Sequence, residues 1–192
     1  MSNAARVYIS IGSNIERERH IHAALNALAE HYGRLTVSSV YESEAVGFDG
    51  EHFLNLVVGL QTEESVSTLS RFLKALEAEN GRHHDAPKFS ARTLDLDILT
   101  YDDRVGVFDG VELPRSEILT NAFVLCPLAE IAPVDQHPVN GQNYTELWSQ
   151  YARDQKLWVV PFSWRGEVIS PRAINSSGDS SDDSSEVSAA DA

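Results

Sequence analysis

Two carboxylates, Asp95 and Asp97, stand two positions apart in the run RTLDLDI (92–98), with Arg92 three positions ahead of the first. Leu94, Leu96 and Ile98 interleave with them in the period-two pattern of a half-buried strand. Both acids therefore project to one side, with Cα atoms about 6.5 Å apart. Parallel carboxylates repel, and a half-buried site keeps both charged only beside a cation. Hard oxygen donors select magnesium, particularly alongside substrate phosphates. The plainer alternative is the solvent face of an edge strand; against it, Leu99 continues the acid-bearing face in apolar fashion. A motif of this size leaves both readings open.

The preceding stretch GRHHDAPKFSAR (81–92) gathers Arg82, Lys88 and Arg92, with His83 and His84, around the single acid Asp85. It is a cationic island in an acidic chain, and local positive potential draws in an anionic ligand despite unfavourable net charge. Gly81 and Pro87 mark irregular backbone, where binding groups are commonly carried. An ordinary solvated loop is the bland reading. Beside the acid pair, the island points to metal and polyphosphate held together, with arginines steadying developing charge.

These groups need a scaffold. ARVYISIGS (5–13) sets Val7, Ile9 and Ile11 on one face, a strand with one buried side. In IERERHIHAALNALAEHY, Ile21, Ala24, Leu25 and Leu28 recur at helical spacing, and Gly33 is placed to end the helix. RLTVSSVYESEAV (34–46) and HFLNLVVGLQT (52–62) read as two strands joined through GFDGE. A second helix carries Leu69, Phe72, Leu73 and Leu76, and the acid-bearing strand follows it. Strand, helix, strand, strand, helix, strand is the α+β, ferredoxin-like βαββαβ arrangement, an antiparallel sheet with two helices on one face. Beyond it come a short hairpin in RVGVFDGVELP, a helix stopped by Pro133, a short helix in NYTELWSQYARD and a last strand in KLWVVPFSW. Trp158 and Trp164 read as core or interface packing rather than ligand contacts.

A chain of 192 residues with 42% hydrophobic content builds one sizeable core. The expected division is a single domain over 1–174 and a disordered Ser/Asp tail over 175–192, whose composition buries too little apolar surface to order itself. Of the net charge of −14, five tail acids account for five units, leaving −9 on the domain. That balance argues against nucleic-acid binding, which needs a basic face, and against an RNA-binding module on the same sheet topology. The lone Cys126 reads as a buried thiol and excludes an intrachain disulfide. With no cationic leader and no window approaching a membrane span, a cytoplasmic protein with no membrane partner is expected. The oligomeric state is not set by the sequence.

In order along the chain, YISIGSN, FLN, GR followed by a loop, RTLDLDIL and FVLCPLAEIAP resemble the 6-hydroxymethyl-7,8-dihydropterin pyrophosphokinase family of folate synthesis, over about residues 5 to 133. RTLDLDI is the most specific element. The resemblance implies transfer of pyrophosphate from ATP to the hydroxymethyl oxygen of the pterin, releasing AMP, with two magnesium ions on Asp95 and Asp97. It implies Arg82 and Arg92 as the catalytic arginines bracing the phosphates, with Ile98 and Arg115 also at the nucleotide. It implies a pterin site of Ser43, the backbone around Val46, Phe53, Asn55 and the stacking ring Phe123. Glu77 matches an acid near the nucleotide, although a solvated helix charge is its simpler role.

The chain also departs from the family pattern. Arg115 stands where a nucleotide-contacting histidine is expected, Ser116 follows it, and Asn121 replaces an arginine. His84 and Phe89 stand where an arginine and a tryptophan are usual. Two readings follow: Arg115 supplies charge that Asn121 cannot and catalysis survives, or the chain is a diverged paralogue that binds pterin or nucleotide without efficient transfer. The intact acid pair with Arg92 favours the first.

Overall fold

Residues 3–45, 47, 49–81 and 93–173 are described by the structure, a computed structural model. The acidic tail and the segment 82–92 lie outside them. Alternating apolar residues form β1 (Ala5–Ser13), followed by α1 (Arg17–Tyr32), which ends at Gly33 with φ 78. The segment 34–46, read as one strand, divides into β2 (Thr36–Val37) and β3 (Val40–Ser43). Ser38 causes the break: its amide donates to Val57 O, but Val57 N donates to the Ser38 hydroxyl at 2.9 Å, so a side chain replaces a main-chain acceptor. Next come β4 (Phe53–Thr62), α2 (Val66–Glu79), capped by Ser65 accepting from Thr68 N, and β5 (Asp95–Tyr101).

The sheet runs β5-β1-β4-β3 with every neighbour antiparallel, and β2 pairs with β4 beside β3. This is the βαββαβ core expected from the sequence. Val7, Ile9, Ile11, Leu56, Val58, Leu96 and Ile98 face α1 and α2 and form the main core.

The other face differs from the expected one-sided sheet. After a hairpin of β6 (Gly106–Phe108) and β7 (Val111–Leu113) and a 3-10 turn (Ser116–Leu119), α3 (Ala122–Ile131) packs across that face with α4 (Tyr144–Ser149) beside it. Val124, Leu125 and Leu128 of α3 build a second core on Tyr8, Val57 and Leu99. A helix apolar on all sides needs cover on more than one, and this sheet face supplies it.

The C-terminal run KLWVVPFSW is two strands rather than one, because Pro161 has no amide to donate. β8 (Leu157–Val160) extends the sheet beyond β3, and β9 (Phe162–Trp164) pairs with β10 (Glu167–Ser170). Trp164 packs against the main core, whereas Trp158 is 42% exposed and stacks on His52 with ring centroids 5.7 Å apart, so its packing role is only peripheral. Among the described residues no helix is long and apolar enough to cross a membrane.

Candidate functional site

Antiparallel register decides which side chains share a face. Ser10 of β1 lies opposite Asp97 on one side and Val57 on the other; Gly12 lies opposite both Asp95 and Asn55. Asn55 in turn faces Tyr41, and Phe53 faces Ser43. One sheet face therefore carries Asp95, Asp97, Ser10, Gly12, Asn55, Phe53 and Ser43 next to the part that α3 covers. Asp95 and Asn55 are two strands apart, about 10 Å at the usual inter-strand spacing.

Gly12 is the floor between them. A Cβ added there would lie 3.4 Å from Asn55 Oδ1 and 3.8 Å from Phe53 Cδ1. Asn55 is buried, and its amide donates to Ser43 Oγ at 2.8 Å and more weakly to Tyr41 O at 3.4 Å. Those bonds orient the amide so that Oδ1, an acceptor, is the atom over the glycine. Phe123 is half-buried at the rim of the second core, in the first turn of α3. Pro127, four residues on, lacks the amide that would bond the Phe123 carbonyl in a regular helix.

Among the described residues the acid pair sits on an edge strand, since β5 pairs there only with β1. The Asp97 side chain is 23% exposed; burial first and neighbouring Asp95 second push its carboxyl up to about 7, with Arg115 pulling the other way. Arg115 Nη2 lies 3.5 Å from Asp97 Oδ1, while its Nε donates to Glu117 Oε2 at 2.8 Å. Two carboxylates on one face of a rigid strand fit a hard divalent cation. Among the described residues no group of three or more His, Cys, Asp or Glu side chains converges. A magnesium ion held by two carboxylates would keep several waters and take substrate phosphate oxygens in place of further protein ligands.

Glu77 is not a solvated helix charge. It is 3% exposed and accepts from Leu96 N at 3.3 Å, across the outer edge of β5. The Ile98 side chain points away from the acids into the main core, so only its main chain is placed to meet a nucleotide. Asn121 is the N-cap residue of α3 without a side-chain capping bond. Cys126 is partly rather than fully buried. Arg82, Arg92 and Val46, with His84 and Phe89, lie outside the described residues.

Ser13 and Asn14, to which the sequence alone assigns no role, hold the two halves of the site. Ser13 Oγ is 2.5 Å from Thr93 O, where the acid-bearing segment begins, and Asn14 Nδ2 donates to Glu51 O at 3.2 Å, just before Phe53. A glycine inside a strand followed by two small polar residues is the signal for such a close junction.

Comparison with known proteins adds an independent line. A sequence profile described as 7,8-dihydro-6-hydroxymethylpterin-pyrophosphokinase (HPPK) matches residues 8–133. The 2-amino-4-hydroxy-6-hydroxymethyldihydropteridine pyrophosphokinase of Haemophilus influenzae is 36% identical over 158 residues, covering 80% of this chain and 98% of that protein. The Bacillus subtilis protein of the same name is 35% identical over 158 residues, covering 78% and 93%. Among solved structures, a Plasmodium falciparum HPPK-DHPS with STZ-DHP superposes with a TM-score of 0.65 at 11% identity, over 88% of this chain. The chain spans 51% of that longer protein, and at this identity the likeness speaks to fold alone.

Proposed function

The chain belongs to the 7,8-dihydro-6-hydroxymethylpterin-pyrophosphokinase family, and from that premise we propose that it transfers pyrophosphate from ATP to 6-hydroxymethyl-7,8-dihydropterin, releasing AMP, in folate synthesis. The observation that carries this reading is the register row Asp95–Gly12–Asn55. It sets a carboxylate and a buried amide on one sheet face, with no side chain between them.

The pterin is a flat heteroaromatic with polar edges. Phe53 and Phe123 offer it apolar faces, and Asn55 Oδ1, braced by Ser43, accepts from a ring N–H. Gly12 leaves room for the ring to lie close to the sheet. In that pose the hydroxymethyl group is directed along the row toward the acid pair. Its oxygen forms a bond to the β-phosphorus of ATP as the α–β bridging bond breaks; AMP keeps the bridging oxygen and the hydroxyl proton passes to solvent.

Two magnesium ions on Asp95 and Asp97 would supply charge neutralisation for the transferring pyrophosphoryl group. Arg115 adds a fixed cation beside Asp97, and Arg82 and Arg92 are assigned to the phosphates. Transfer of this kind rests on in-line positioning and electrostatic stabilisation, and asks for no covalent enzyme intermediate. The lone cysteine and the use of ATP suit a cytoplasmic setting.

AMP formation from ATP and magnesium, measured with and without the reduced hydroxymethylpterin, tests the assignment. Pterin-dependent AMP is expected. Binding of pterin without any AMP at high magnesium would instead make the chain a diverged binding protein.

A further inference from the structure

Resting on the assignment above, we propose that Arg115 is a built-in competitor for the magnesium site: its guanidinium and a divalent cation contend for Asp97, and a polyphosphate settles the contest by giving Arg115 a second partner. The geometry is specific. Nη2 of Arg115 lies 3.5 Å from Asp97 Oδ1 and 3.4 Å from Glu117 Oε1, while Nε donates to Glu117 Oε2 at 2.8 Å. Glu117 thus grips one edge of the planar group and aims Nη2 at the strand. The backbone adds to this fixity. Arg115 N donates to Leu99 O at 2.9 Å, tying the residue to the strand that bears Asp97, and Ile118 in the following turn is fully buried.

A cation bound at Asp97 would stand within a few ångströms of that guanidinium, and two positive charges so close repel. Either the cation binds weakly or the arginine turns aside. Turning aside is favourable only where another anion meets the fork of N–H donors. Phosphate oxygens match that fork in both charge and shape. The cation alone is therefore held back, whereas cation and nucleotide together relieve each other. Coupling of this sort is reciprocal, so the cation strengthens nucleotide binding by the same factor. The consequence is selection for the metal–nucleotide complex over the free ion, set by one side chain and its carboxylate holder.

The test is a titration of the full chain with Mn2+, standing in for magnesium, followed by the electron paramagnetic resonance signal of the free ion, with and without a non-hydrolysable ATP analogue. Arg115→Met is expected to bind Mn2+ alone about three- to tenfold more tightly, the size of a partly exposed ion pair. Its further gain from nucleotide should shrink correspondingly. Arg115→Lys keeps the charge but cannot hold Glu117 along an edge and reach Asp97 together, so it should shift the same way.

A Met variant no tighter than the wild type overturns the proposal. So does a Lys variant equal to the wild type, since only the general field of the charge would then be at work. Asp97→Asn separates the two layers. Loss of Mn2+ in that variant, with Arg115→Met unchanged, leaves the metal site standing and removes the competition; a wild type that binds no Mn2+ even with nucleotide removes both.

Discussion

At Asp97, folding and activity pull in opposite directions. Burial first and neighbouring Asp95 second disfavour its charged form and push its folded carboxyl up to about 7 from an ordinary value of 3.8. Between those values the folded state binds more protons than the unfolded state, so the group's stabilising contribution is fully present below about pH 4 and is lost as pH rises through about 7. In the presence of a chelator, thermal midpoints should fall from pH 5 to pH 7.5. Asp97→Asn should abolish that fall and stabilise the protein at pH 7.5 by about 1–3 kcal/mol. The same change should lower turnover by on the order of a thousandfold, because the amide is a poor magnesium ligand. Thermal melts across pH on both proteins check the first two expectations, and a wild type with no such slope would contradict them. Gly12 makes a different demand. Ordinary strand backbone there tolerates a side chain, but branched methyl groups would enter the space beside Asn55 and Phe53. Gly12→Val should raise the pterin KM at least tenfold while moving the melting temperature by only a few degrees; equal loss of both would assign the glycine to folding instead.

At the scale of elements, α3 is the part the site depends on and the sequence left least visible. Glu130, near its C-terminal end, accepts from Ser39 N, from Ser39 Oγ at 2.9 Å and from Tyr41 Oη at 2.9 Å. One carboxylate thereby clamps α3 to β3, two helical turns from Phe123 on the same side of the helix. Glu130→Ala should cost about 1–3 kcal/mol by leaving the Ser39 amide and the Tyr41 phenol without this acceptor. If the clamp sets Phe123, the pterin KM should rise more than the ATP KM, as steady-state kinetics would show. Nothing local announced this contact, which joins residues 91 positions apart. Period-two alternation in β1 and β5 and helical spacing in α1 and α2 were legible because each is a local pattern. The apolar Leu99 on the acid-bearing face is the one hint that a second layer covers the sheet, and by itself it says only that the face is not simply wet. The role of Glu77 is hidden from the sequence for a related reason: a helix charge looks solvated until the outer edge of β5 supplies an amide for it to accept from.

For the whole molecule, the order of six elements was enough to derive the sheet, and the sheet register brings together residues scattered from Ser10 to Asp97. The segment past Pro161 was harder to place because its anchors are again long-range. Val40 N donates to Ser170 Oγ at 2.9 Å, and Arg172 N donates to Ser39 Oγ at 2.7 Å, so the C-terminal hairpin straps the strand that carries Ser43. Under the proposed function, one sheet face, left open beside α3, receives both substrates along the line from Asp95 to Asn55. A crystal structure with magnesium, a non-hydrolysable ATP analogue and hydroxymethylpterin tests it most directly. Density is expected for the metal at Asp95 and Asp97, the polyphosphate beside Arg115 and the pterin ring over Gly12 between Phe53 and Phe123. Ligands bound instead in the cleft at the far end of the sheet, lined by Arg6, Tyr8, Arg34 and Asp135, would contradict it.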